Sequence, residues 1–299
     1  MFYIVGPTAV GKSELAAAAA SSCDGEIVSA DAFQVYQGLD LLTAKPDEAT
    51  LGSVRHHLIG TNPLTELMNA EKFRQAAVRA LRDIHARDKR AFIVGGTGMY
   101  VRALTDGLSP LPSASRELRE QLNACHVSEL MARLAELDPE TAQAIDQKNK
   151  HRVLRAVEIC LLTGRPASAQ RKRTTPSRSA GGLFLFRDRP ELYERINFRV
   201  EQMFAHGVVE EVRTLKAVGA TAAKTLGLEQ IRALLAGKVT ERDCIASIQQ
   251  ETRRYAKRQL TWFQRQTNFE PLNLSHQGSS EAIELIARKA RLSFAQQDD

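Results

Sequence analysis

The sequence predicts an α/β fold, a parallel sheet core interrupted by a helical insertion domain, and three observations predict it. Over the first hundred residues, short apolar runs ending in glycine or aspartate alternate with longer segments of helical period. After the stretch GLSPLPSAS (107–115), helical patterns follow one another with no strand between them. The run LFLF (183–186) then restores a strand. Strands that alternate with helices pair in parallel, because each crossover needs a helix to return the chain to the same end of the sheet.

The first strand spans residues 2–5 and leads into a glycine-rich turn, and the alanine-rich stretch 12–22 is a helix. EIVSA (26–30) is the second strand and ends at Asp31. Phe73, Ala77, Leu81 and Ile84 recur at helical spacing within a helix over 70–87. AFIV (91–94) is the third strand and ends in Gly95-Gly96-Thr97-Gly98. The insertion, 113–180, carries helices over 115–125, 127–137 and 147–163, the last ended by Gly164 and Pro166, and then a polar loop over 165–180. After LFLF the pattern is helical to the end, over 192–206, 208–218, 228–235 and 241–266, with a weak terminal helix. The core is therefore expected to comprise 1–112 and 181–299.

Composition excludes several classes. With 43% hydrophobic and 25% charged residues the chain is ordinary for a globular protein. No apolar run approaches the ~20 residues a bilayer requires, so no membrane partner is expected. Lys12 and Glu14 interrupt the N-terminal apolar stretch, which is not patterned as a signal peptide. Cys23, Cys125, Cys160 and Cys244 form no CxxC pair, and a reducing, cytoplasmic setting is expected. Nothing in the pattern demands more than a monomer.

The net charge of +6 is unevenly placed. Lys148, Lys150, Arg152, Arg155, Arg165, Arg171, Lys172, Arg173 and Arg178 face one acid, Glu158, within 148–178. Such density suits a polyanion partner, although a solvated loop has the same composition.

Gly6-Pro7-Thr8-Ala9-Val10-Gly11-Lys12-Ser13 matches GxxxxGK[ST] in full, after a strand and before a helix. The glycines let main-chain N–H groups turn toward an anion, Lys12 adds a point charge, and Ser13 is suited to ligate Mg²⁺. This identifies a phosphate site, not a particular nucleotide. Nucleotide hydrolases of this type carry a second apolar strand ending in aspartate. Here that strand ends in Gly-Gly-Thr, which weighs against ATP hydrolysis. Asp31, at the carboxyl end of a strand, is placed either as a proton acceptor or as a cap for the following turn. On a helix over 251–265, Tyr255, Gln259, Trp262 and Phe263 share one side, expected to pack on the core. Arg253, Arg254, Lys257, Arg258 and Arg265 share another, either a wet surface or a guide for a nucleic-acid backbone.

GPTAVGKSELA, DAFQVYQGLDLLTAKP, FIVGGTGMYVRAL, GLSPLP, HRVLRAVEICLLTGRP, LYERINFRVEQMFAHGVVEEVRTL and TRRYAKRQLTWFQR, in that order, resemble the signatures of the tRNA dimethylallyltransferases, and the likeness covers nearly all of the chain. The resemblance implies a P-loop kinase-like core that binds the pyrophosphate of dimethylallyl diphosphate, with Mg²⁺ as cofactor. The implied acceptor is N6 of adenine-37 in tRNA, flipped from its stack. The insertion would clasp the anticodon stem-loop. Thr8, Lys12 and Ser13 would stabilise the departing diphosphate, and Asp31 would accept the amine proton. Asp31, Ala32, Phe33 and Gln34, together with Thr97, Arg119 and the run His151, Arg152, Val153, Leu154 and Arg155, match positions that contact tRNA in the family. Lys224, in KTLGL, stands where the family has an arginine in Arg-x-x-Gly-Tyr, and is expected on the diphosphate. Gly60 replaces a usual aspartate and Ala32 a usual serine. A small-molecule P-loop kinase is the main alternative, against which the basic insertion speaks. A nucleic-acid-binding module with a decayed site is a second, against which Lys12, Ser13 and Asp31 speak.

Overall fold

The computed structural model describes residues 1–112, 115–170 and 181–298. Six parallel strands form one sheet: β1 (Phe2–Val5), β2 (Gly25–Ser29), β3 (His56–His57), β4 (Arg90–Gly95), β5 (Gly182–Phe186) and β6 (Glu270–Asn273), in the order β3-β2-β4-β1-β5-β6. The expected α/β class is therefore observed. The chain forms two compact units, Met1–Thr105 with Pro176–Asp299, and Asp106–Thr175.

In the sheet-bearing unit β1 lies between β4 and β5, with Val5 opposite Gly95 and Phe184. Both faces of the sheet are buried, which is why its strands read as continuous apolar runs. Phe2, Ile4, Ile27, Phe92 and Val94 belong to one core with residues of α1 (Lys12–Ser22) and with Ile286, Ala290 and Phe294 near the C-terminus. Tyr3, Val5, Val28 and Ile93 belong to a second core. It draws on α3 (Ala70–His85) and α4 (Gly98–Thr105), which follow the short α2 (Glu48–Ser53). Each such side chain contributes about 1.5–3 kcal/mol by leaving water.

The second unit is helical: α5 (Arg116–Ala124), α6 (Val127–Leu137), α7 (Pro139–Ala144), α8 (Lys150–Thr163) and α9 (Ala167–Gln170). Leu122, Leu130, Leu134, Val153, Leu154 and Val157 form its core. The side chains of Ser115 and Asn149 cap α5 and α8 by accepting from the N–H groups of Leu118 and Arg152.

After β5 come α10 (Arg189–Ala205), α11 (Val208–Thr214), α12 (Leu228–Leu235), α13 (Glu241–Gln266) and, after β6, α14 (Ser279–Asp298). An all-helical ending is thus corrected by β6, a four-residue strand, EPLN, that pairs along β5. On α13 Gln259 and Phe263 are buried as the helical period requires, while Arg254, Lys257, Arg258 and Arg265 are exposed. Arg253 is engaged internally, donating to Asn197 Oδ1 at 2.5 Å.

Candidate active site

The loop between β1 and α1 fits against β5. A Cβ on Gly6 would lie 2.2 Å from the Leu185 carbonyl oxygen, so this close approach admits only glycine. Three arginines around α10 hold the outer side of the loop. Arg187 Nε donates to Val10 O at 3.0 Å, Arg195 Nε to Ala9 O at 2.9 Å, and Arg199 to Thr8 Oγ1 at 3.2 Å. Lys12 Nζ donates to Pro7 O at 2.6 Å. Among the described residues neither Lys12 nor Arg199 makes an ion pair. Burial pushes the Lys12 ammonium down to about 7, against the pull of Asp31, and Arg199 adds to the depression. Arg199 falls to about 10 for the same chief reason. Two cations held this far from neutralisation form a site that gains by receiving an anion.

Asp31 follows β2 at the carboxyl edge of the sheet. Its Oδ1 accepts from the N–H groups of Phe33 and Gln34 at 2.9 and 3.3 Å, so it builds the turn. It also lines the cavity beside Lys12 and Arg199 and attracts both charges. Turn-former and proton acceptor were alternatives on sequence, and the geometry is compatible with both at once. Beside it, Thr97 Oγ1 accepts from Ala32 N at 2.9 Å, and the Tyr255 hydroxyl faces the Thr97 side chain. Burial and the Asp31 charge push that phenol upward, so it stays protonated. Gln34 Nε2 donates to Thr43 O and Ala44 O, and Arg199 also donates to Ala44 O. Glu211 of α11 fastens this 39–44 turn by accepting from the N–H groups of Asp40, Leu41 and Leu42 at 2.6, 2.7 and 2.9 Å. Gly60 sits over the Lys45 ammonium, whose carboxylate partner in this chain is Asp40.

Two cavities meet here. The larger, about 490 Å³, is polar along the loop, where Thr8, Lys12, Ser13, Asp31 and Arg199 line it. The smaller, about 70 Å³, shares Thr8, Asp31 and Arg199 but is otherwise mostly apolar, with Val200, Met203, Phe204, Ile231 and Ile248. Ser13, with a hydroxyl, and Asp31, with a carboxylate, both line this cavity. Hard oxygen donors of this kind fit Mg²⁺ when phosphate oxygens and water complete the shell.

The expected site residues divide by position. Thr8, Ala9, Gly11, Lys12, Ser13, Asp31 and Gln34 line the larger cavity, and Phe33 the smaller. Gly6, Pro7 and Val10 are buried beneath the loop. Lys224 is different: it is exposed at the end of the turn Ala222–Lys224 and lines neither cavity. The arginines that line the larger cavity are instead Arg195 and Arg199. Their i,i+4 spacing within ERINFR was the available signal.

In the helical unit, Arg119 and Arg155 both reach Glu158, at 2.8 and 2.6 Å, and that carboxylate is fully buried. Arg155 also donates to Pro112 O. Val153 and Leu154 point into the core, since a contiguous run on a helix cannot present every side chain to one surface. His151, Arg152, Lys148 and Arg165 are exposed. Arg171, Lys172, Arg173 and Arg178 lie outside the described residues.

A family model described as IPP transferase matches residues 34–266. The chain belongs to the IPP transferase family. It is 45% identical over 265 residues to tRNA dimethylallyltransferase 1 of Citrifermentans bemidjiense, covering 86% of this chain and 87% of that one. It is 41% identical over 282 residues to the tRNA dimethylallyltransferase of Akkermansia muciniphila, covering 94% and 96%. The crystal structure of the full-length tRNA isopentenylpyrophosphate transferase of Bacillus halodurans superposes with a TM-score of 0.71 at 32% identity, covering 100% of this chain and 99% of that one. A eukaryotic dimethylallyltransferase, crystallised acting on tRNA, gives a TM-score of 0.78 at 25% identity, covering 92% and 74%.

Proposed function

We propose that this IPP transferase moves a dimethylallyl group from dimethylallyl diphosphate to N6 of adenine-37 in a tRNA anticodon loop, releasing diphosphate. The observation that carries this is the junction of the two cavities: a cationic phosphate loop and a small apolar pocket meet at Thr8, Asp31 and Arg199. That suits a donor with an anionic head and a five-carbon apolar tail. The names of the relatives from C. bemidjiense and A. muciniphila support the same activity.

In the reaction the C1–O bond of the donor breaks and a C1–N6 bond forms. The bond pair leaves on the diphosphate, and the N6 proton goes to Asp31. Lys12, Arg199, Thr8 and the loop N–H groups stabilise charge where it builds. Asp31 suits the acceptor role because its turn fixes the carboxylate at the cavity wall. Mg²⁺, when bound through Ser13, supplies further positive charge to the diphosphate oxygens. Exposed Lys148, His151 and Arg152 support anticodon stem-loop binding by the helical unit, through phosphate contacts. Four free cysteines support a cytoplasmic setting. A metabolite kinase is disfavoured by the basic helical unit, which a small-molecule substrate does not require, and by the names of the relatives.

Incubation with unmodified tRNA, Mg²⁺ and labelled dimethylallyl diphosphate tests this. Label should appear on adenine-37 and vanish when that base is guanine. Label elsewhere, or none, contradicts it.

A further inference from the structure

Gln259 belongs neither to the phosphate loop nor to the Asp31 turn, yet its side chain touches the supports of both. It is 6% exposed, on the face of α13 that packs against the sheet. Its Oε1 accepts from Thr8 N at 2.9 Å, and its Nε2 donates to Gly96 O at 2.9 Å. A Cβ on Gly96 would lie 2.3 Å from Nε2, so glycine there makes room for the amide. From Gly96 the connection continues through Thr97. Thr97 N donates to Ala30 O at 3.1 Å, and Thr97 Oγ1 accepts from Ala32 N at 2.9 Å. Ala30 and Ala32 flank Asp31. A buried side-chain amide at this position is costly unless both its ends are satisfied, and here both are. Neither a carboxylate nor an alkyl chain of the same length meets both partners at neutral pH.

We infer that Gln259 is a positioning residue, a strut that fixes the separation between the diphosphate cradle at Thr8 and the proton acceptor at Asp31. The inference rests on the transferase reading above. Gln259 also lines the larger cavity, but both ends of its amide are taken by the main chain, so its role lies in the geometry between the two substrates and not in holding either one. Thr8 is fixed twice, through its N–H by Gln259 and through its hydroxyl by Arg199. Loss of the first tie lets the loop drift relative to the acceptor corner. A drift on the order of 1 Å reduces the chemical step by about a hundredfold.

Two variants test this. Gln259→Met keeps the length and removes both hydrogen bonds. Its kcat should fall ten- to a hundredfold, with KM for tRNA and for dimethylallyl diphosphate each within threefold of wild type. Gln259→Glu gives a pH signature. As a neutral acid it accepts from Thr8 and donates to Gly96, and as a carboxylate it repels Gly96 O. Its kcat, divided by that of wild type at the same pH, should rise as pH falls, while the Gln259→Met ratio stays flat. The division removes the groups the proteins share. Wild-type transfer is the control: if it is absent, the transferase reading fails whatever Gln259 does. If wild type transfers and Gln259→Met retains kcat within twofold, the strut is refuted. It is equally refuted if the loss falls on KM for tRNA with kcat preserved, since that marks a direct RNA contact. Should Gln259→Met not fold, the Gln259→Glu ratio decides alone, and a ratio independent of pH refutes the strut.

Discussion

Two pairs of cations, one in each unit, are treated in opposite ways. In the helical unit Arg119 and Arg155 converge on Glu158, a fully buried carboxylate that offsets one of their two charges and ties both into the fold. In the sheet-bearing unit Lys12 and Arg199 are given carbonyl and hydroxyl partners and no ion pair among the described residues. Both their proton affinities fall, to about 7 and about 10, because burial is not compensated. A cation matched within the fold is part of the fold. A buried cation left unmatched is held for a ligand, and an anionic one restores what burial removes. Counting basic residues along the sequence ranks the helical insertion first; asking which are buried without an ion pair ranks the phosphate loop first.

The largest expected effect is at Asp31. Asp31→Asn removes the proposed proton acceptor while its turn can still form, so transfer should fall by about 10²–10⁴ with tRNA affinity within a few-fold. Equal loss in single-turnover rate and in tRNA binding would instead make Asp31 a recognition residue.

Arg199→Met should cost about 10²–10³ in kcat/KM for the allylic donor, and Lys224→Met less than threefold. Steady-state kinetics on the pair sharpens the distinction between a cavity cation and an exposed one. A large loss at Lys224 would return it to the diphosphate.

Within the helical unit, Arg155→Met leaves the buried Glu158 carboxylate with Arg119 as its one remaining guanidinium partner among the described residues. Unfolding free energy should drop by about 2 kcal/mol, and Glu158→Gln in the same chain should recover part of it. Arg152→Ala should leave the denaturation midpoint unchanged. It should weaken tRNA binding and lower the slope of log affinity against log salt by about 0.9. If Arg155 instead moves the salt slope and not the stability, the two classes of arginine are not distinct.

The smallest effect concerns protons. Lys12 is lowered to about 7 in the folded protein, so between that value and its ordinary 10.5 the unfolded chain binds more protons and stability of the ligand-free protein rises with pH. An anion on Lys12 reverses the shift. Diphosphate binding above pH 7 should therefore take up a proton, and affinity should fall with pH by at most tenfold per unit. Calorimetry in buffers of different ionisation enthalpy reads this directly, and proton release would contradict it.

The phosphate loop was legible because its residues are contiguous and its chemistry is local: Gly6 to Ser13 need only a strand before and a helix after. The long helices were legible by period, and α13 to the residue. What escaped depends on contacts distant in sequence. Gln259 fell on the buried face of its helix, but nothing along the chain says that Thr8 and Gly96 wait at its two ends. His56–His57 and EPLN are too short for any pattern, and become strands only because β2 and β5 offer them an edge. Lys224 was placed by likeness of a linear segment, which carries no information on which way an exposed turn faces. Arg195 and Arg199 had one signal, their spacing of one helical turn, which surface arginines share.

The most direct test of the central claim is a single-turnover comparison of two donors on saturating, unmodified tRNA: dimethylallyl diphosphate labelled in the five-carbon chain, and ATP labelled in the terminal phosphate. The expected result is one labelled prenyl group on RNA for each diphosphate released, with ATP intact. Cleavage of ATP by an enzyme that leaves the allylic ester untouched would contradict it.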